Sequence, residues 1–253
     1  MSILPRETPQ DPTSRDAGGL PITELFTSIQ GEGGLVGTPS SFVRVRGCNL
    51  RCGWCDTPHS SWEPEGAVRS LDELVAYCAE GPQHVVLTGG EPLLFAPLAR
   101  LSALLKRRGH HITVETAGTV WCDDLRCDLM SISPKLRHAA PHRGGPSLAA
   151  RHEAARWAPE IAARLCEAFT AQLKFVVRVD PDALAEDLAE IDAFLAAAGL
   201  ESFPPAQIFL MPEGVDPAAL ADAYRALSEP ARARGYRIGQ RLHLALFGHT
   251  PGT

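Results

Sequence analysis

The sequence contains no long apolar run, no internal repeat and no excess of positive charge. Because a transmembrane helix needs about 20 apolar residues, we expect no membrane span. The net charge of −6 is unlike that of a general nucleic-acid-binding protein, so we expect no direct nucleic-acid partner. Residues 1–20 lack a signal-peptide core, which predicts a cytoplasmic protein. Their Pro, Gly, Ser and Asp content predicts a flexible leader, followed by one domain over 21–253.

Short apolar runs alternate with segments of helical periodicity, which predicts an α/β fold with a parallel sheet. Five or six βα units are too few for a closed eight-stranded barrel, so we predict a partial (β/α)6-type parallel barrel. The predicted strands are Ser41–Arg46, Val85–Thr88, Ile112–Glu115, Leu129–Ser133, Gln172–Val177, Ile208–Met211 and Arg241–Phe247. The predicted helices are Leu71–Ala79, Leu93–Arg108, Asp182–Ala198 and Pro217–Arg234. Residues 136–170 interrupt this alternation, and we interpret them as an insertion with a helix over Leu148–Phe169.

Unusual residues follow the predicted strands repeatedly. Cys48 follows the first strand, Gly89–Pro92 the second, Thr116–Thr119 the third and Pro134–Lys135 the fourth. Since the carboxyl ends of parallel strands meet at one edge of a sheet, this pattern predicts a single catalytic face.

Three of the seven cysteines, Cys48, Cys52 and Cys55, fall within eight positions. Soft thiolates suit iron–sulfur clusters and zinc, and a cube held by three of them leaves one iron open to a substrate. Three alternatives remain: a zinc site completed by His59, unligated structural cysteines, or an electron-transfer cluster with a fourth cysteine. The candidates for that fourth ligand are Cys78, Cys122, Cys127 and Cys166.

The spacing C-x3-C-x-aromatic-C, with Trp54 as the aromatic residue, resembles the signature of the radical S-adenosylmethionine (SAM) superfamily. Gly89-Gly90-Glu91-Pro92 resembles the glycine motif of that family, whose backbone binds the SAM amino group. The resemblance implies a [4Fe–4S] cluster on Cys48, Cys52 and Cys55, SAM at its open iron, and the partial barrel of that superfamily.

The loop Gln30-Gly31-Glu32-Gly33, Arg44 and the run from Cys48 to Thr57 are more specific. Together they resemble the 7-carboxy-7-deazaguanine synthase family of homodimeric enzymes. That family contracts the ring of 6-carboxy-5,6,7,8-tetrahydropterin with loss of ammonia, through a 5′-deoxyadenosyl radical, and its product feeds queuosine and other 7-deazapurines. The resemblance therefore implies a carbon–nitrogen lyase with a flavodoxin- or ferredoxin-like electron donor.

The same resemblance implies a role for individual residues. Thr57 would bind Mg²⁺ through its hydroxyl. The substrate contacts would be Ile29, Gln30, Gly31, Glu32, Arg44, Thr88 and Thr253. The SAM contacts would be Trp54, Cys55, Asp56, Gly89, Gly90, Glu91, Glu115, Ser133, Pro134, Lys135, Leu210, Met211, Pro212 and Glu213.

The sequence departs from the family pattern at Ala117, where Asn is common, and at Leu244, where Lys is common. Two other functions stay open at this point. One is an activase of the same superfamily that makes a glycyl radical on a partner enzyme. The other is a zinc-stabilised module without enzymatic activity.

Overall fold

The computed structural model describes residues 18–253, whose nine strands form one sheet. The strands are β1 (Gly19–Ile29), β2 (Pro39–Val45), β3 (Ala67–Ser70), β4 (His84–Gly89), β5 (His111–Thr116), β6 (Leu129–Ile132), β7 (Ala171–Val177), β8 (Ile208–Pro212) and β9 (Arg237–Ile238). Their order is β3-β1-β2-β4-β5-β6-β7-β8-β9. Adjacent strands from β2 to β9 run parallel, whereas β1 is antiparallel to both neighbours. The predicted open, mostly parallel barrel is confirmed.

Within the described residues, seven α-helices lie between strands and an eighth follows β9. They are α1 (Pro58–Ser61), α2 (Leu71–Ala79), α3 (Pro97–Arg107), α4 (Gly145–Arg156), α5 (Pro159–Ala168), α6 (Pro181–Ala197), α7 (Pro217–Arg234) and α8 (Leu242–Phe247). Several of these helices begin at a side chain that caps the first turn. Ser70 and Glu73 form a capping box at α2, and Asp180 and Asp216 accept backbone N–H groups at α6 and α7. None of these helices is long and apolar enough to cross a membrane.

The core forms where apolar strand residues meet the apolar stripes of the helices. Leu98, Leu101 and Leu105 recur along one face of α3, and all three are fully buried against the sheet. Val85 and Leu87 of β4 are also fully buried. This packing holds the carboxyl ends of the parallel strands together, and the candidate site is built at that edge.

Three predictions about local structure need correction. Arg241–Phe247 is not a strand: residues 242–247 form α8, and the strand that pairs with β8 at this end of the sheet is β9. The insertion contains two helices, α4 and α5, separated at Trp157–Ala158 just before a proline. The strands β1, β3 and β9 were missed. The predicted leader lies outside the described residues up to position 17, but Gly19 and Leu20 already belong to β1.

His84 provides a prediction about acid stability. Its Nδ1 lies 2.7 Å from the Ser40 hydroxyl and its Nε2 lies 2.8 Å from the Thr113 hydroxyl. Burial, with a contribution from His111, lowers the pKa of His84 to about 4. The unfolded chain binds a proton below about pH 6.5, whereas the folded chain resists it until about pH 4, so stability falls as the pH drops through this window.

We therefore expect the unfolding free energy to lose up to about 2 kcal/mol from this group between pH 7 and pH 5. A His84→Gln variant keeps hydrogen-bonding capacity but does not titrate, so its loss between these pH values should be smaller. Urea unfolding at both pH values, followed by circular dichroism, measures the difference. Equal losses in the two proteins would show that His84 does not cause the acid sensitivity.

Candidate functional site

A cavity of about 720 Å³ opens at the carboxyl ends of the parallel strands. Its wall combines the cysteine loop, the glycine turn after β4, the loop after β1 and the C-terminal segment. Most of the predicted site residues therefore meet in one place, although they are spread from residue 29 to residue 253. The predicted residues outside the lining are Glu91, Pro134, Leu210 and Pro212.

The cysteine loop follows β2 and is fixed by hydrogen bonds at several points. Gly47 donates its N–H to the Ser60 carbonyl at 2.7 Å, and the Trp62 indole donates to the Cys52 carbonyl at 2.9 Å. The loop holds Cys48, Cys52 and Cys55 at the cavity. The three thiols needed for a cube with one open iron are thus brought to the same wall.

The surroundings of these thiols favour their neutral form. Burial raises the pKa of Cys48 to about 12, with a contribution from the Glu91 carboxylate. Burial likewise raises the pKa of Cys52 to about 11. Thiolates are costly here unless a cationic group compensates them, and metal ligation is what deprotonates such thiols. Burial raises the pKa of the four other cysteines in the same way, so it is the grouping of three thiols at one wall that fits an iron–sulfur cluster.

The turn Gly89-Gly90 closes directly on the cysteine loop. Gly89 has φ +144°, and a Cβ on Gly90 would lie only 2.1 Å from the Gly47 carbonyl oxygen. Glu91 donates its backbone N–H to the same Gly47 carbonyl at 2.9 Å. Only glycine permits this approach, so the turn presents bare backbone to the cavity.

The Glu91 side chain has a structural role. It is fully buried and accepts hydrogen bonds from the Thr116 hydroxyl at 2.7 Å and from the Ala117 N–H at 2.8 Å. It also accepts from the Leu93 N–H. The Glu91 carboxylate thus joins the ends of β4 and β5. Because it is already paired, the predicted contact of Glu91 with SAM would be made by its backbone.

A second group of predicted SAM contacts surrounds Trp54. The Lys135 ammonium lies 5.5 Å from the indole centroid and donates to the Ser133 hydroxyl at 2.7 Å. The indole Nε1 of Trp54 is buried and has no hydrogen-bond partner among the described residues. Buried N–H groups are normally paired, so this donor fits a site completed by a ligand.

The polar wall of the cavity is organised by Lys174, a buried lysine in β7. Its ammonium contacts the Glu32 carboxylate at 2.8 Å and the Glu115 carboxylate at 2.7 Å. The Gln30 amide donates to Glu115 at 3.3 Å. Burial alone would raise the pKa of Glu32, but Lys174 and Arg241 outweigh it and hold this pKa well below its usual range. Both charges of the pair therefore persist at neutral pH.

Arg241 links the separate loops of the site, and the sequence prediction missed it. Its guanidinium contacts the Asp56 carboxylate of the cysteine loop, and its Nε lies 3.4 Å from Glu32. Nearby, His243 packs so closely on Gly31 that a Cβ there would lie 1.9 Å from its Nδ1. The C-terminal segment thus fastens the loop after β1 to the cysteine loop.

Arg44 and Thr57 both line the cavity. The Arg44 Nε lies 2.7 Å from the Glu24 carboxylate, which also lies 3.2 Å from His59 Nε2. His59 therefore faces Glu24, which weighs against the alternative in which His59 completes a zinc site. Thr57 occupies the N-cap position of α1, but its hydroxyl makes no capping bond. Thr253 also lines the cavity.

Outside the cavity lining lie the four other cysteines, Cys78, Cys122, Cys127 and Cys166. Residues 18–253 contain no group of three or more His, Cys, Asp or Glu side chains arranged to hold a single metal ion. This finding does not conflict with a cube, because each cysteine of an iron–sulfur cluster binds a different iron atom.

The fold and the cysteine loop define a radical SAM protein, and residues 42–160 match the family model described as Radical SAM superfamily. A 7-carboxy-7-deazaguanine synthase from Halobacterium salinarum is 44% identical over 248 residues, covering 94% of this chain and 94% of that protein. One from Rhodopirellula baltica is 43% identical over 261 residues, covering 100% and 97%. The chain belongs to the 7-carboxy-7-deazaguanine synthase family.

Solved structures agree with this assignment. The crystal structure of QueE from Escherichia coli superimposes with a TM-score of 0.62 at 26% identity, covering 89% of this chain and 95% of that one. Streptococcus suis SuiB, with a TM-score of 0.51 and 12% identity over 76% of this chain and 46% of its own, shares the fold. The predicted radical SAM enzyme, with its [4Fe–4S] cluster and SAM, is confirmed, and the zinc-stabilised module without activity is rejected.

Proposed function

We propose that this enzyme converts 6-carboxy-5,6,7,8-tetrahydropterin into 7-carboxy-7-deazaguanine with loss of ammonia. The observation that carries the proposal is the shared cavity. It joins the three cysteines to a polar wall of Gln30, Glu32, Glu115 and Lys174. A volume of about 720 Å³ lies within the range of small-molecule sites. The radical chemistry and the substrate recognition therefore act in the same space.

The polar wall suits the pterin ring. A pterin edge carries an amide and an amine, and the carboxylates of Glu32 and Glu115 accept hydrogen bonds from such donors. The Gln30 amide can donate as well as accept. Because Lys174 pairs with both carboxylates and Arg241 lies near Glu32, these acids can bind a neutral ring without needing its charge. Arg44, which lines the same cavity and pairs with Glu24 through its Nε, would offer the rest of its planar guanidinium to the substrate carboxylate.

SAM and the cluster, when bound, supply a carbon-centred radical that takes a hydrogen atom from the substrate. Trp54 would cover the adenine, and Ser133 and Lys135 would bind the polar end of the cofactor. The backbone of Gly89-Gly90 would accept from the SAM amino group. The C-terminal segment, held through Arg241, would keep water away from the reacting atoms.

Mg²⁺ belongs to this proposal, with Thr57 as its protein ligand. The Thr57 hydroxyl faces the cavity and lies 3.8 Å from the Cys55 sulfur, so an ion there could also meet a substrate oxygen. Mg²⁺ often takes few protein ligands and completes its shell with substrate and water.

We expect Thr57→Ala to retain the cluster and SAM cleavage but to lose most of the stimulation of pterin turnover by Mg²⁺. The variant deletes an oxygen ligand without altering the cysteines. Initial rates measured with and without added Mg²⁺ give the result, with Thr57→Ser as a control that keeps the hydroxyl. Equal Mg²⁺ stimulation in Thr57→Ala and the unsubstituted enzyme would reject this ligand.

The proposal also includes a homodimer in the cytoplasm and a flavodoxin- or ferredoxin-like electron donor. All seven cysteines are free thiols, which fits a reducing compartment. The enzyme class supports the donor, because each SAM cleavage consumes an electron.

The test of the function is anaerobic turnover of the carboxytetrahydropterin by reconstituted enzyme with SAM, Mg²⁺ and dithionite. We expect 7-carboxy-7-deazaguanine, identified by mass spectrometry, in the absence of any other protein. SAM cleavage without this product, together with a glycyl radical on an added partner enzyme, would favour the activase instead.

A further inference from the structure

The imidazole of His138 lies behind Trp54, the residue proposed to cover the SAM adenine. The two ring centroids are 5.8 Å apart and the ring planes differ by 26°, so the rings are stacked. Contact between two aromatic rings favours particular mutual orientations. Trp54 lines the cavity, whereas His138 does not. Any influence of His138 on a ligand in the cavity is therefore exerted through the residues it contacts.

The far side of the His138 ring is fixed by Asp187 of α6. The Nδ1 atom lies 3.2 Å from the Asp187 carboxylate, which also accepts the Arg178 backbone N–H at 2.8 Å and its guanidinium at 2.7 Å. Burial alone would raise the pKa of Asp187, but the hydrogen bonds from His138 and Arg178 outweigh it and lower this pKa. An ionised carboxylate only accepts hydrogen bonds, so Nδ1 is the donor, and this bond fixes the plane of the imidazole.

The other ring nitrogen of His138 approaches the cavity wall. The Nε2 atom lies 3.5 Å from the carboxylate of Glu213, which lines the cavity, and it makes no hydrogen bond within residues 18–253. The His138 side chain is only 6% exposed, and buried polar atoms are normally paired. Two stacked buried rings, those of His138 and Trp54, thus each carry an unpaired nitrogen beside the predicted SAM contacts. This pattern fits a wall that a ligand completes.

The backbone around His138 is held independently of its side chain. The Gly53 N–H of the cysteine loop donates to the Ala139 carbonyl at 3.0 Å. The Arg137 N–H donates to the Glu190 carboxylate of α6 at 2.9 Å. Because neither bond involves the imidazole, this segment should stay in place when His138 is substituted, and the effect of the ring can be measured separately.

We propose that His138 is a positioning residue for SAM, which holds the Trp54 indole at the angle that covers the adenine. The proposal rests on the proposed function, in which Trp54 contacts SAM. Asp187 anchors the imidazole, and the imidazole supports the indole from behind, so a side chain outside the cavity determines the orientation of one that lines it. The amino-acid end of SAM would bind the open iron and the turn Gly89-Gly90, so His138 acts on the nucleoside end alone.

The test compares His138→Asn with His138→Phe in the full-length, cluster-loaded enzyme. Asparagine keeps a donor for Asp187 but removes the ring, whereas phenylalanine keeps a flat ring. Without a reductant SAM is bound and not cleaved, so anaerobic titration calorimetry measures its Kd. We expect this Kd to rise about tenfold in His138→Asn and less in His138→Phe. His111→Asn is the matched control, because His111 also has an unpaired buried nitrogen in the described part of the chain but begins β5, at the opposite end of the strands.

Free methionine separates positioning from general damage. It has the amino-acid end of SAM without the nucleoside, and its binding is followed through the electron paramagnetic resonance spectrum of the reduced cluster. We expect methionine binding and the iron content to be unchanged in all three variants. A change confined to SAM would identify the nucleoside end as the part that His138 affects.

Three results would overturn the proposal. The first is an unchanged Kd for SAM in His138→Asn, and the second is tighter SAM binding by His138→Asn than by His138→Phe. The third is an equal loss for SAM and methionine, or a similar loss in His111→Asn, because the effect would then not belong to the nucleoside end. Normal SAM binding by the unsubstituted enzyme without any pterin turnover would reject the proposed function and leave this role of His138 standing.

Discussion

A Cys52→Ala variant is expected to purify without iron and to form no detectable 5′-deoxyadenosine from SAM. Cys52 is one of only three cysteines lining the cavity, and its side chain is 8% exposed. With two thiolates left, two irons of the cube would lack a protein ligand, and no other cysteine borders the cavity to replace the third. Iron analysis and visible absorption after anaerobic reconstitution measure the loss.

Cys78→Ala is the matched control for this experiment. Cys78 is fully buried in α2 against the core and lies outside the cavity lining, so its removal tests the general effect of deleting a buried thiol. We expect this control to keep four irons per chain and the brown colour. An iron-free Cys78→Ala protein would support the fourth-cysteine alternative. One zinc per chain in the unsubstituted protein would contradict the cluster itself.

The parts of the site that the sequence predicted are those formed by neighbouring residues. The cysteine loop and the turn Gly89-Gly90 carry their chemistry within a few positions, and each follows a strand that apolar periodicity reveals. Their meeting follows from a general property of parallel sheets, in which carboxyl ends share one edge. Prediction of the fold class therefore needed no long-range information, whereas the assignment of Cys48, Cys52 and Cys55 as cluster ligands rests on the family resemblance and stays a prediction.

Contacts that depend on distant residues could not be predicted in this way. The ion pair of Arg241 with Asp56 joins positions 185 residues apart. The run Arg241–Phe247 alternates like a strand in the sequence, but residues 242–247 form α8 and the strand beside β8 is β9. Glu91 was assigned to SAM because its motif suggested it, whereas its carboxylate bonds to Thr116 at the end of the next strand. For a short motif, sequence indicates which backbone is near a ligand but not where each side chain points.

The role of Lys174 could be predicted only in part from the sequence. A single lysine in the buried strand β7 is an unusual feature, yet its partners Glu32 and Glu115 lie 142 and 59 residues away. The sequence left open whether it faced solvent or the site. The structure places its ammonium between the two carboxylates that face the proposed pterin position, with 3% of the side chain exposed.

We expect Lys174→Met to lower kcat/KM for the carboxytetrahydropterin by about 100-fold or more. Methionine keeps most of the volume but removes the ammonium that holds Glu32 and Glu115 in place, and a small displacement of groups that position a substrate can cost about 100-fold in rate. The cluster and SAM cleavage without pterin should persist, because Lys174 contacts neither the cysteines nor the glycine turn through any described ion pair. A loss confined to pterin turnover would identify Lys174 as a positioning residue for Glu32 and Glu115.

The pH profile provides a readout that a merely structural role would not produce. Lys174 holds the pKa of Glu32 well below its usual range, so this carboxylate stays ionised at neutral pH. Without the ammonium, that pKa rises towards its usual range, although Arg241 still lowers it, so the acid limb of the variant's activity profile should shift to higher pH. Lys174→Arg, which keeps the charge, should retain more turnover than Lys174→Met.

Lys106→Met removes a more exposed ion pair, in which the ammonium lies 2.7 Å from Asp128, and should leave turnover unchanged. A flat pH profile in Lys174→Met, or an equal loss in Lys106→Met, would contradict this role.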